Sequence, residues 1–263
     1  MKILLNYKYE YDPQTTGHYV ERALKRMGHT VIKEREQITC DLVLQVEPYD
    51  HHHIDGTPNF VWEFDTCLRG GGFFSDNINN KEYKPDRIFT VCKCHETILP
   101  TQYLPVAADP YLHRPFEYEK EFDIAFVGRA DASLYPERVR LLDELQKKFN
   151  VLRTTSEHGL GFSRTLSKGK LIFNRTISTC ANLRVFEGMA IGPVVTNYLP
   201  IMDDLAEPMV HYIPYSSDEE LFENVERLLR DDKLREQIAQ NARELVIEKH
   251  TYDHRLKEIL KYV

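Results

Sequence analysis

"NLRVFEGMAIGPVVTN" runs from Asn182 to Asn197. It reads as a helix opening near Asn182, ended by Gly192 and Pro193, and followed at once by the buried strand "VVT". A helix that empties into an apolar strand is one turn of an α/β alternation. Phe186 and Ala190 are expected to face the sheet, while Arg184 and Glu187, three residues apart, share the other face. A basic side chain in a first turn sits near the positive end of the helix dipole and is poorly placed unless an anion is bound. A carboxylate one turn later can accept hydrogen bonds from two vicinal ribose hydroxyls. An ordinary ion pair at that spacing contributes only ~0.2–0.5 kcal/mol. It accounts for the pair but not for its place at the helix start.

Outward from this stretch the same alternation continues. "KILLNY" is a strand, "DPQTTG" a turn, and "HYVERALKRMGHTV" an amphipathic helix closed by Gly28. "DLVLQV", "NFVWEF", "DRIFTV" and "TQYLPV" are short strands between Gly-, Pro- and Asn-rich loops, as a parallel sheet requires. The polar "ADPYLHRPFEYEKEF", with two prolines, reads as a linker. Beyond it "FDIAFVG", "NVLRTT", "LIFNRT" and "HYIPY" are strands, and "YPERVRLLDELQKKF" is a helix. In "SSDEELFENVERLLRDD" Ser216 or Ser217 can cap, with Glu219 or Glu220 completing a capping box. The expected fold is α/β, with two Rossmann-like domains facing across a cleft. The expected bounds are 1–112 for the first domain, 113–121 for the linker, 122–248 for the second domain and 249–263 for a terminal helix.

Composition narrows the function. Hydrophobic residues make up 42% and charged residues 29% of 263, which excludes a disordered chain. A formal net charge of -7 supplies no basic face for nucleic acid. No apolar run approaches the roughly 20 residues of a membrane span, and the polar start of the chain speaks against a signal-peptide core, so a cytoplasmic protein is expected. The five cysteines lack a zinc spacing and are expected to be reduced core thiols. "CKCH" (Cys92 to His95) reads as strand cysteines on one face, and "DHHHID" (Asp50 to Asp55) as a polar loop whose consecutive histidines cannot converge on one ion. No metal site is expected.

Ligands of open parallel sheets bind beyond the carboxyl ends of the strands. Three such junctions carry candidate residues. In "PQTTGH" Gly17 lets backbone amides approach a ligand, with a plain tight turn as the alternative; the glycine fingerprint of dinucleotide folds is absent. In "FVGRADASLYPER" Gly128 and Arg129 stand where a strand ends, and an arginine there can clamp phosphate oxygens. Ser133 and Arg138 are weaker candidates from the same loop and helix start. The third junction is the opening stretch, with Asn182, Arg184 and Glu187.

Taken together these motifs carry a resemblance. "FVG" with its following basic residue, the Arg-x-Phe-Glu-x-Met-Ala-x-Gly helix, and the terminal His-Thr-Tyr-x-x-Arg resemble the C-terminal domain of GT-B glycosyltransferases, of the group-1 and spore-coat CgeB-like type. The likeness covers about Asp123 to Arg255. "YLPVAADPYLHRP" resembles the segment that joins the two domains of that group. The first domain matches in outline only, through "TTGHYVERALKRMGHTV" and "VWEFDT".

The resemblance implies transfer of a sugar, as by a hexosyltransferase, from a nucleotide diphosphate sugar to a glycan, lipid-linked or protein acceptor. UDP or GDP are the leading donor nucleotides, and no cofactor or bound metal is required. Glu187 matches the second glutamate of the family's paired motif, the one assigned to ribose. The first would fall at position 179, where this chain has Thr179. Arg129 matches the family's phosphate-binding basic residue, and Arg138 or Arg184 could replace the lysine that usually follows. The acceptor's base is sought in "VWEFDT", at Asp65 first and Glu63 beside it, or at His18. The group-1 likeness favours retention of anomeric configuration. The last helix is expected to cross back to the first domain, anchored by His250, Tyr252 and Arg255. Peripheral contact with a membrane is left open. Two rival readings remain: an inert nucleotide-sugar-binding module, which Thr179 favours, and a GT-B-fold epimerase.

Overall fold

A computed structural model describes residues 1–7, 16–33, 39–47, 53–64, 85–93, 101–155 and 157–263. The chain divides into two compact units, Met1–Val106 with Tyr252–Val263, and Ala107–Thr251. Each is an α/β layer built on its own parallel sheet.

The first unit holds β1 (Lys2–Asn6), α1 (Thr16–Arg26), β2 (Thr30–Ile32), β3 (Leu42–Val46), β4 (Asn59–Glu63), β5 (Arg87–Thr90) and β6 (Gln102–Tyr103). The strands lie in the order β2-β1-β3-β4-β5-β6, every pair parallel, with Ile3 beside Leu42 and Trp62 beside Phe89. β3 and β4 are buried along their whole length, as strands covered on both faces must be. α1 buries Tyr19, Val20, Ala23 and Leu24 and ends with Lys25 and Arg26, cations that suit the negative end of the dipole.

The second unit holds β7 (Phe122–Val127), α2 (Pro136–Lys148), β8 (Val151–Thr154), α3 (Gly159–Leu166) and β9 (Gly169–Asn174). These are followed by α4 (Leu183–Met189), β10 (Val194–Asn197), a 3-10 turn (Pro200–Asp204), β11 (Ile213–Tyr215), α5 (Asp218–Arg230) and α6 (Asp232–Lys249). Its strand order is β11-β10-β9-β7-β8, again all parallel. Ile124, Phe126 and Phe173 from the sheet meet Leu141, Leu145 and Val225 from α2 and α5 in one core. The capping box closes on its second alternative: Ser217 Oγ accepts from Glu220 N (3.2 Å), and the Glu220 carboxylate accepts from Ser216 N (2.7 Å). α3 is a helix that the sequence reading missed. Its eight residues, "GLGFSRTL", carry two glycines and too short an apolar repeat to register as periodic.

The last helix, α7 (Tyr252–Leu260), belongs to the first unit. Tyr252 packs 5.6 Å from the Tyr19 ring and 6.1 Å from Trp62. Arg255 donates from Nε to the Pro105 carbonyl (2.8 Å) and from Nη2 to that of Val106 (3.1 Å). Arg26 meets Asp253 at 3.3 Å. His250, by contrast, stays with the second unit, stacked 4.5 Å from Phe186 with Nε2 3.0 Å from the Leu205 carbonyl.

The cysteines depart from expectation. Cys40 is a free thiol, but Cys92 and Cys180 each take part in a disulfide. Spacing along the chain does not reveal which sulfurs the folded path brings close. His51 and His52 lie outside the described residues, as do Cys94 and His95, and His53 is exposed 3.3 Å from Asp55. Among the described residues no helix is long and apolar enough to cross a membrane, and no three His, Cys, Asp or Glu side chains cluster as metal ligands.

Candidate active site

Both sheets place their second strand on one side of the first and their third on the other. The order therefore reverses between β1 and β3 in the first unit and between β7 and β9 in the second. Such a reversal opens a crevice beyond the strands' carboxyl ends, where open α/β sheets take their ligands. In the second unit that crevice gathers most of the expected site residues.

Gly128 follows β7 with φ +155, and a Cβ there would meet Arg184 Nε at 2.6 Å. Only glycine lets the α4 guanidinium lie across the end of β7. Arg184 Nε donates to the Val127 carbonyl (2.8 Å), so the first-turn arginine is tied to the strand end as well as placed at the crevice. Arg129, next along, is exposed. Arg138, at the start of α2, is 4% exposed and bonds the Arg129 carbonyl (2.9 Å) and the Arg175 carbonyl (2.7 Å). That guanidinium fastens the loop after β7 to the loop after β9 and is engaged with backbone. Asn182 is the N-cap residue of α4 without a side-chain cap; its Nδ2 donates to Asn174 Oδ1 (3.2 Å) at the end of β9. Ser133 closes a local turn on Asp131, its Oγ 2.6 Å from Oδ1.

Glu187 lies on α4 with 6% of its surface exposed. Burial pushes its carboxyl up to about 7, against the opposing pull of Arg184. The charge nearest it in sequence thus acts through space and leaves the group short of full ionisation near neutrality. His113 Nε2 stands 3.6 Å from Glu187 Oε1. Thr179, where the resembling family has a glutamate, is exposed in the loop before α4.

Two residues of this neighbourhood escaped the sequence reading. Arg175 directly follows β9, the same strand-end position that singled out Arg129 after β7, and that signal was available. Its Nε is buried with no hydrogen-bond partner among the described residues. His113 lay in a stretch read as linker, and its spacing of four from Asp109 gave no periodic signal.

A cavity of about 250 Å3 opens beside the crevice, between Glu137, Arg175, Tyr198, Tyr215 and Asp218. Its two carboxylates are already neutralised: Arg140 Nε donates to Glu137 (2.9 Å) and its Nη1 to Asp218 (2.7 Å). Arg129 follows β7, Arg175 follows β9, and Arg184 stands in the first turn of α4.

The first unit places its candidates differently. The space over Gly17 is filled by the Tyr7 ring, since a Cβ there would meet Tyr7 Cγ at 2.1 Å. The glycine thus admits a side chain where an open ligand approach was expected. Glu63 ends β4 with 1% exposure, held inside the unit. His18 is half-buried on α1, 5.9 Å from the Tyr19 ring. Asp65 lies outside the described residues.

Two parallel sheets of this order are the two Rossmann-like halves of the GT-B fold. The chain belongs to the glycosyl transferase-like family, whose sequence profile matches residues 112–261. Three solved structures show the fold at low identity. T4 phage BGT, in complex with UDP-glucose, is 12% identical, with a TM-score of 0.62 over 100% of this chain and 99% of that one. Sucrose-phosphate synthase from Thermosynechococcus elongatus is 11% identical, with a TM-score of 0.64 over 99% and 98%. Anabaena HepE, with UDP-glucose, is 11% identical, with a TM-score of 0.62 over 100% of both chains. No curated protein sequence matches the chain.

Proposed function

We propose that the protein transfers a hexose from a UDP-sugar to an acceptor hydroxyl, in the cytoplasm and without a bound metal, as a member of the group-1 or CgeB-like branch. What supports this reading is buried Glu187 on α4, one turn after Arg184, whose guanidinium lies against the end of β7 beside Gly128; Arg129 and Arg175 follow the ends of β7 and β9. Cleavage between the anomeric carbon and phosphate leaves negative charge on the departing diphosphate. Positive groups fixed in advance around that charge are the main catalytic requirement. Three guanidinium groups supply what a divalent cation supplies elsewhere. Glu187 accepts the ribose hydroxyls, a task that justifies an ionisable group in so dry a place. UDP is the favoured nucleotide because T4 phage BGT and Anabaena HepE were solved with UDP-glucose. Asp65, Glu63 and His18 are the candidate bases for the acceptor, and the group-1 likeness favours retention.

A thermal-shift screen of UDP, GDP, ADP, dTDP and CDP tests this reading. Anything that binds the native state alone raises the melting temperature. UDP is expected to stabilise wild type and to lose that effect in Glu187→Ala and Arg129→Ala, and EDTA is expected to change nothing. Equal stabilisation of both variants would overturn the site assignment, and a folded protein that responds to no diphosphate would overturn the donor class.

A further inference from the structure

Residues Asp109 to His113 form a single hydrogen-bonded turn. His113 N donates to the Asp109 carbonyl (2.7 Å), Leu112 N to the same oxygen (3.1 Å), and Tyr111 N to Asp109 Oδ1 (3.0 Å). The turn also returns a bond to the ring: Asp109 N lies 3.0 Å from His113 Nδ1. A backbone N–H can only donate, so Nδ1 is the acceptor and the ring's proton sits on Nε2. That Nε2 is the atom 3.6 Å from Glu187 Oε1.

The imidazole has little freedom to choose another arrangement. Its side chain is 1% exposed and that of Glu187 is 8%. Phe162 of α3 meets the ring edge-on at 5.9 Å and 78°. α3 is in turn pinned to the turn by Ser163 Oγ, which donates to the Leu112 carbonyl (2.7 Å). The other charged or titratable groups around Glu187 are committed elsewhere or act at longer range. Arg184 bonds the Val127 carbonyl, and Arg243 of α6 bonds the Ala190 carbonyl (2.7 Å). His250 stacks on Phe186, and His158 feels Arg184.

We infer that His113 is a positioning residue of the nucleotide site: its Nε2–H, fixed by the Asp109 amide, orients the Glu187 carboxylate to receive the ribose hydroxyls. The inference rests on the ribose reading of Glu187. Hydrogen bonds of this kind are often long before ligand binds and tighten in the complex. Donation from Nε2–H favours the ionised carboxylate and opposes the burial that keeps Glu187 protonated. It leaves the second carboxylate oxygen for the ligand.

Calorimetric titration of the full chain with UDP, from about pH 5.5 to 9, tests the role through the acid limb of affinity. In wild type, affinity is expected to fall as pH drops through the Glu187 transition. His113→Phe, which keeps a planar ring but no donor, is expected to weaken UDP about tenfold at neutral pH and to move the acid limb up by about one pH unit. His113→Gln restores an N–H donor and is expected to recover part of both. If His113→Phe proves unfolded by circular dichroism, His113→Gln carries the test, with an intermediate limb expected. Glu187→Gln separates the two levels. Should it lose UDP while the His113 variant under test keeps wild-type affinity and limb, the positioning role is overturned. Should Glu187→Gln itself bind UDP normally, the ribose reading falls and the inference with it.

Discussion

The two units repeat one strand order around their first strand, yet treat their switch points in opposite ways. In the first, Tyr7 closes over Gly17, and its hydroxyl donates to Glu21 Oε2 (2.7 Å). Lys25 and Lys33 each reach the same carboxylate at 2.6 Å, and these bonds hold it down to about 2 in spite of burial. In the second, the Arg184 guanidinium lies over Gly128, and burial pushes Glu187 up to about 7 against the opposing pull of Arg184. Both glutamates show 6% of their surface, but Glu187 is the more completely enclosed, and burial outweighs the pull of its arginine. A carboxylate held by three donors is tied into the scaffold.

The largest effect is expected where the first crevice is sealed. A Cβ at Gly17 would stand 2.1 Å from Tyr7 Cγ, near the root of the ring where the side chain cannot swing clear. Gly17→Ala should therefore expel Tyr7, take one donor from Glu21, and cost about 3 kcal/mol in urea unfolding. An unchanged midpoint would break the contrast, since the first crevice would then have room. Next comes Glu21→Gln, which leaves two lysines without their anion. The shift from the ordinary value of 4.5 to about 2 corresponds to roughly 3 kcal/mol. Partial exposure of Lys25 and Lys33 reduces the expected loss to about 2 kcal/mol near neutral pH. Because the folded pKa is depressed, that stability is present above about pH 4.5 and disappears as pH falls through 2. Wild type and Glu21→Gln should converge in acid; a constant gap would assign the loss to packing.

Sequence made much of this arrangement readable, and the limits follow from what a linear pattern encodes. Strand order in the second unit rests on apolar runs such as "FDIAFV" and "KLIFN", whose burial on both faces shows directly in composition. Arg129, Arg184 and Glu187 could be placed because a strand end or a helix turn fixes their position to within a residue or so. What stayed hidden depends on contacts across the fold. Arg138 has the look of a phosphate ligand until the carbonyls of Arg129 and Arg175 are seen to occupy it. His113 stands 74 residues before Glu187, and only the Asp109 turn reveals which ring nitrogen bears the proton. Gly17 could be read as space for a ligand or as a turn, and the Tyr7 ring filled it.

The smallest effect is the one with reversed sign, and it tests the second half of the contrast. A carboxyl whose folded value is raised from 4.5 to about 7 binds its proton more tightly in the folded chain than in the unfolded one. Between those limits stability must fall as pH rises. Glu187→Gln removes the ionisation while keeping the shape. It should match wild type below about pH 4.5 and exceed it by about 1 kcal/mol at pH 8. The full conversion of the shift is roughly 3 kcal/mol, but the neutral amide is itself polar and bears part of the same desolvation. Urea unfolding at the two pH values measures the difference. The same variant should lose stabilisation by UDP, so the gain without ligand and the loss with it come from one atom pair. A Glu187→Gln protein less stable than wild type at pH 8 would make Glu187 a second Glu21, and the two switch points would no longer differ in kind.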